Sequence, residues 1–229
     1  MRKGRSIAQY FTELVVVFAG VALAFAVENL REDLNEQAVG DEYLAGFRQD
    51  LRLDLAMLDK EIAFRQIQAT DSRLLLGLIN EPDALPNTFF DAYYRSLGAH
   101  ATSPNRNTMD EVLNSGNLRL IKNSDVRAAL LELYASYSRI AFLEAHIVRD
   151  FEHYLYDPTF SSVPLQLVGP WPDTPQNRLV MDTLRSNVTI QNGLRLLSGN
   201  IEYPETGLLA LLQTARSQVV ALQQTLSDS

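Results

Sequence analysis

The sequence predicts an all-α protein, in which a single N-terminal transmembrane helix is followed by an extracytoplasmic helical bundle with one long proline-rich loop. Three observations carry that reading. Apolar residues recur at steps of three and four along three long stretches, no stretch alternates convincingly at period two, and one apolar run lies near the N-terminus between a basic and an acidic flank.

The apolar run comes first. Arg2, Lys3 and Arg5 precede it, and Glu28, Glu32, Asp33 and Glu36 follow. A bilayer core of about 30 Å needs roughly 20 helical residues. Ile7 to Val27 spans that length, interrupted only by Gln9, Tyr10, Thr12 and Glu13. The boundaries are therefore a cytoplasmic basic tail over 1–6, a transmembrane anchor over 7–29 and an extracytoplasmic helical domain over 30–229, with the basic flank retained inside. A secretory signal peptide is the alternative, because Ala24-Phe25-Ala26 matches a small-residue cleavage site after Ala26. Both readings export the rest of the chain. Glu13 at the edge of the run, and the absence of a helix breaker after Val27, favour a retained anchor.

About 200 residues beyond the anchor make one domain large enough to bury a core without staples. The chain has no cysteine, which excludes disulfides, thiolate catalysis, Cys-ligated zinc and iron–sulfur clusters. Setting aside Arg2, Lys3, Arg5 and Glu13 from the 20 basic and 28 acidic residues leaves 17 and 27 in the exported part. So acidic a surface repels phosphate backbones, and nucleic acid is not an expected partner.

With no proline before Pro82, a helix can run from the membrane far outward. Leu44, Phe47, Leu51, Leu55, Leu58 and Ile62 form its apolar seam, with Arg48, Gln49, Arg52, Asp59 and Lys60 on the wet side. Glu61 and Arg65 make a favourable i, i+4 pair. The pattern continues through Ile67 and Leu74 to Ile79, and Pro82 with Pro86 closes it. A short aromatic helix spans about Thr88 to Leu97 and ends at Gly98. Thr108-Met-Asp-Glu111 reads as a capping box, and Gly116 as the left-handed residue that ends the helix it opens. Asn123 or Ser124 caps the next long helix, which should reach about Tyr156 with the stripe Val126, Leu130, Leu133, Tyr137, Ile140, Leu143, Ile147, Phe151 and Tyr154. Leu208, Leu212, Ala215, Val219, Leu222 and Leu226 mark the last.

The proline-rich stretch 157–176 holds five of the nine prolines and the only tryptophan, and its prolines argue against regular helix. Loops of that length are functional or strapped to the surface. One reading is a strap packed on the bundle. The other is a partner-binding loop formed by Phe160, Leu165, Leu167 and Trp171, with tryptophan as the interface anchor.

Two blocks of residues carry a resemblance. Glu13-Leu-Val-Val-Val-Phe-Ala-Gly20-Val-Ala-Leu-Ala24, closing near Asn29 and followed by Tyr43-Leu44, resembles the anchor region of a widespread bacterial family of uncharacterised, membrane-tethered helical proteins. The stretch from Asn105 through Leu113, Ser115-Gly116, Leu118 and Ile121 to Asn123 is similar to that family's mid-chain segment. The likeness covers the first 60 residues or so and about 105 to 140. It does not extend to the proline-rich stretch, and Leu30 stands where the family carries a tryptophan. It implies an anchor, a topology and a helical fold, with no activity to carry over.

Few constellations suggest chemistry. His146, Asp150 and His153 share one face of a regular helix and are a weak metal candidate, but di-iron bundles need a second carboxylate-x-x-His helix. There is no Gly-x-Ser-x-Gly elbow and no phosphate-cradling glycine loop. His100 has no serine or acid at a recognisable spacing. Asp50 with Asp54 reads as a solvated helix face, and Asn187-Val-Thr189 as a chance glycosylation sequon. No metal or other cofactor is called for. In the anchor, Glu13, Val17, Gly20 and Ala24 share one face that could pack against a second membrane helix; alternatively Glu13 lies at headgroup depth and the small residues are filler.

The expected function is that of a non-catalytic scaffold or accessory subunit of a larger bacterial inner-membrane complex. Its N-terminus would be cytoplasmic and its bulk periplasmic or otherwise extracytoplasmic. The expected partners are the membrane and other integral membrane subunits, or a second copy of itself. A tethered sensor that binds a small ligand is the alternative, favoured by a buried polar cavity. A metal-dependent enzyme comes third, favoured by a second histidine–carboxylate helix beside His146.

Overall fold

The first proline of the chain is Pro82, and the first helix uses nearly all of the preceding length. In a computed structural model, which describes residues 7–98, 101–162 and 169–227, α1 runs unbroken over Ile7–Leu78. Its 72 residues rise by about 110 Å. Arg2, Lys3, Arg5, His100, Leu165 and Leu167 lie outside the described residues. Side chains 13–35 of α1 are exposed on every face, and burial begins at Gly40. A Cβ on Gly40 would stand 2.6 Å from the Leu120 carbonyl oxygen, so only glycine lets the chain cross this closely.

The remaining elements pack along the outer part of α1. They are α2 (Pro86–Ser96), α3 (Asn107–Asn114), a 3-10 turn (Asn117–Leu120), α4 (Ser124–Phe151), a π turn (Glu152–Tyr156), α5 (Asp157–Ser162), α6 (Pro175–Ser186), α7 (Val188–Glu202) and α8 (Leu208–Ser227). Regular structure among the described residues is entirely helical, as the periodicity predicts. Helix α8 lies against both α1 and α4, α7 touches all three, and α2 and α3 rest on α1. The α8 stripe is buried along its whole length, from Leu208 to Leu226. On α4 the stripe from Val126 to Ile140 is buried as expected, with Leu143 half-buried.

Local signals account for several boundaries. Asn123 Oδ1 accepts from the Asp125 and Val126 N–H groups at the start of α4. Gly116 takes φ 69° after α3, a conformation that costs a residue without Cβ nothing. Pro86 opens α2 at its first turn, where a missing N–H does no harm, instead of closing the preceding helix.

Four expectations are corrected. The apolar seam of α1 does not continue through Ile67 and Leu74, which are 53% and 41% exposed; Arg65, Gln68 and Ser72 turn inward in their place. Thr108 is not a capping residue, because α3 already begins at Asn107; the Asn107 N–H donates to Asn105 Oδ1 and the Thr108 N–H to Asp50 of α1. Asp50 and Asp54, the latter accepting from the Asn105 N–H in the loop before α3, are buried and not solvated. Finally, 157–176 is not wholly loop. The helical course from α4 passes through a π turn and carries on as α5, with Pro158 just after the π turn, and Pro175 opens α6 behind the Thr174 cap.

Candidate functional site

The apolar N-terminal part of α1 is regular helix. In an unbroken helix, Glu13, Val17, Gly20 and Ala24 fall within an arc of about 60°, and α1 is unbroken there. Glu13, Val17 and Ala24 are exposed, and a Cβ built on Gly20 meets nothing within 4 Å. By length and composition this part of α1 could cross a bilayer, with mean hydropathy 1.9 over its most apolar window and none of that window buried; a signal sequence meets the same criterion.

Trp171 turns inward. Its ring is 7% exposed, stacks on Tyr94 at 4.9 Å and lies 5.5 Å from Phe90, while its N–H donates to Asn87 Oδ1 at 2.8 Å. The partner-binding role assigned to this side chain is therefore corrected to that of a strap: the aromatic face of α2 supplies a better partner than solvent does. Phe160, on α5, is 44% exposed with its ring 4.3 Å from that of Tyr156.

The structure separates the histidine–carboxylate constellation. His146 Nε2 stands 3.5 Å from Asp150 Oδ2, and the same oxygen accepts from Asn200 Nδ2 at 3.3 Å. His153 falls in the π turn, exposed and edge-on to Tyr154 at 4.6 Å. The wider turn breaks the 3.6-residue register that would align it with the other two. Among the described residues no three histidine or carboxylate groups gather as metal ligands do.

Two buried polar clusters join α1 to α4, and spacing shows only the Glu61–Arg65 pair of the second. In the first, Asp54 accepts from the Asn105 N–H at 2.7 Å and from the Tyr137 hydroxyl at 2.7 Å, while Asp50 accepts from the Thr108 N–H at 3.1 Å. Burial pushes the Asp54 carboxyl above its ordinary range, and the two hydrogen bonds offset that only in part. The Tyr137 hydroxyl is pushed up as well, by burial and then by the adjacent Asp54 charge.

In the second cluster, the buried Arg65 donates to Glu61 Oε1 at 2.7 Å, to Gln68 Oε1 at 2.9 Å and to Glu144 Oε1 at 3.4 Å. Glu144 also accepts from the Thr102 N–H at 2.8 Å and from its hydroxyl. Burial raises the Glu144 carboxyl, opposed by Thr102 and by Arg65. Gln68 then donates to the Ser96 and Gly98 carbonyls, tying α2 to the same centre. Every group here is engaged by protein, which suits a structural clasp.

An open cleft of about 780 Å³ lies between α4, the π turn, α7 and the turn into α8. One face of α7 forms its floor with Asn192, Arg195, Leu196, Gly199 and Asn200, followed by Tyr203. Helices α6 and α7 were not anticipated from the sequence. Two local signals mark them: Thr174 before Pro175, and Asn187, whose side chain caps α7 by accepting from Thr189 and Ile190 N–H groups. The apparent sequon is thus a helix cap.

The chain matches no protein-family model, no curated protein and no solved structure.

Proposed function

We propose that the protein is a non-catalytic, single-pass scaffold or accessory subunit, anchored in a bacterial inner membrane with its bundle on the extracytoplasmic side. It works through contacts with other integral membrane subunits or with a second copy of itself. One observation carries this reading: α1 passes without a break from a segment exposed on all faces into the centre of the bundle. Apolar side chains such as Phe11, Phe18, Leu23 and Phe25, each at least 66% exposed, have no protein to cover them. Soluble chains rarely leave so large a contiguous apolar surface in water, whereas lipid covers it at no cost.

Within the membrane the contact face is Glu13, Val17, Gly20 and Ala24, where small residues allow a second helix to approach. With Trp171 turned inward, the outer contact passes to Phe142 on α4, at 79% exposed. The test is co-purification from mild detergent. Gly20→Leu, whose Cβ meets nothing within 4 Å, should lose partners that Leu23→Ala retains. If both variants keep every partner, the contact face is wrong. The small-ligand alternative finds support in the cleft beside α7.

A further inference from the structure

The cleft beside α7 combines features that a plain gap between helices does not need. On α7, Ile190, Leu194, Leu197 and Ile201 are buried in the core. The opposite stripe, at 192, 195, 196, 199, 200 and 203, faces the cleft and offers two carboxamides, a guanidinium, an apolar side chain, a glycine and a phenol ring. Leu143 and Tyr154 stand on the other wall. Tyr154 is brought there by the π turn, a helix irregularity that often accompanies functional sites. Gly193 allows the approach, since a Cβ at that position would lie 2.8 Å from the Leu155 side chain and 2.9 Å from Tyr154 Cβ.

Two details indicate the occupant. This chain carries a net charge of −8, and arginines such as Arg95, Arg119, Arg178 and Arg216 are held by carboxylates. Arg195, like Arg127 and Arg149, makes no ion pair among the described residues, and it is the arginine that lines the cleft; its hydrogen bond is to Asn192 Oδ1 at 3.2 Å. Gly199 leaves the cleft floor bare, with nothing within 4 Å of a Cβ built there, although glycine in mid-helix costs about 1 kcal/mol relative to alanine. A cleft of this size falls in the range of small-molecule sites, which pair apolar walls with a few convergent polar groups.

We propose that this cleft binds a small carboxylate with a flat apolar body, its carboxylate held by Arg195 and its body lying over Gly199 against Leu143, Tyr154 and Tyr203. A single guanidinium matches the two oxygens of a carboxylate with two parallel N–H···O bonds. Asn192 and Asn200 flank the bound group, and Asn200 is oriented by Asp150. The site does not depend on the membrane reading, which stands or falls separately.

The test uses the full chain in lipid nanodiscs, with empty nanodiscs as the blank, 2-naphthoate as the probe and 2-naphthalenemethanol as its neutral counterpart. Calorimetric titration should detect saturable 2-naphthoate binding at one equivalent, with the alcohol at least tenfold weaker. Arg195→Met should weaken the acid at least tenfold while leaving the alcohol unchanged. Gly199→Leu, whose Cβ meets nothing within 4 Å, adds bulk to the floor and should abolish both at an unchanged or higher melting temperature. Gly77→Leu, whose Cβ likewise meets nothing within 4 Å but which lies on α1, should bind as the wild type does. No saturable binding to the wild type, or equal binding by the wild type, Arg195→Met and Gly199→Leu, would overturn the proposal.

Discussion

Replacing Arg65 by methionine keeps the bulk of the side chain and removes the charge at the centre of the α1–α4 clasp. The guanidinium is 2% exposed and bridges Glu61 and Glu144, with Gln68 on its remaining face and the Phe64 ring 5.2 Å away. Both carboxylates stay buried when it goes. Breaking a buried pair in this way costs about 3–5 kcal/mol, far more than the small net value of an exposed pair. For a domain near 200 residues that corresponds to a melting temperature lower by on the order of 10 °C. The pH dependence follows from Glu144, whose carboxyl is already raised, first by burial. A carboxyl with a folded pKa above its unfolded one binds more protons when folded, so stability falls as pH rises and returns as pH drops through the folded value. Without Arg65 the Glu144 carboxyl rises further, and the Arg65→Met deficit should be smaller at pH 5 than at pH 7.5. Thermal unfolding followed by circular dichroism at both pH values is the assay. A loss under about 1 kcal/mol, or a deficit that grows on acidification, would refute the clasp.

Two further outcomes concern residues whose environment differs from expectation. Trp171→Ala should cost about 3–5 kcal/mol of folding stability, as large-to-small changes in packed aromatic sites do. Phe160→Ala, half exposed, should cost under about 1 kcal/mol; chemical denaturation midpoints compare the two, and a neutral Trp171→Ala would restore the interface reading. Asp54→Asn keeps one acceptor oxygen for two donors, at a cost of about 1–3 kcal/mol at neutral pH. Because burial raises the Asp54 carboxyl, the wild type should gain on this variant as pH falls from 7.5 to 5. A gap that narrows would contradict the raised carboxyl.

The three long helices were legible because apolar period alone determines them. Val126 to Ile140 and Leu208 to Leu226 occupy the core where their spacing puts them. Period fails where the core is polar: Asp54, Arg65 and Gln68 look like a wet face until α4 and the Asn105 loop are seen to cover them. Proline misled in the same local way. Pro86 and Pro175 were read as breaks, yet each lies in the first turn of a helix, where the missing N–H is not needed, and Pro158 follows the π turn in a helical course that carries on to Ser162. The His146, Asp150 and His153 alignment assumed an ideal turn, and the π turn over Glu152–Tyr156 removes it. The cleft was out of reach because it depends on α7, whose cap at Asn187 was read as a sequon, and on a tertiary gap that no single segment encodes.

Membrane orientation is the central claim, and the absence of cysteine makes it directly measurable. Single cysteines at Ser6 and at Thr214, the latter exposed on α8, would be reacted with a membrane-impermeant maleimide. The labelling compares cells with a permeabilised outer envelope and lysed cells. The account predicts that Thr214→Cys labels before lysis and Ser6→Cys only after it, with both chains at full mass in the carbonate-washed membrane fraction. Protection of Thr214→Cys before lysis, or a mature chain beginning at Val27 and lacking Ser6→Cys altogether, would contradict it.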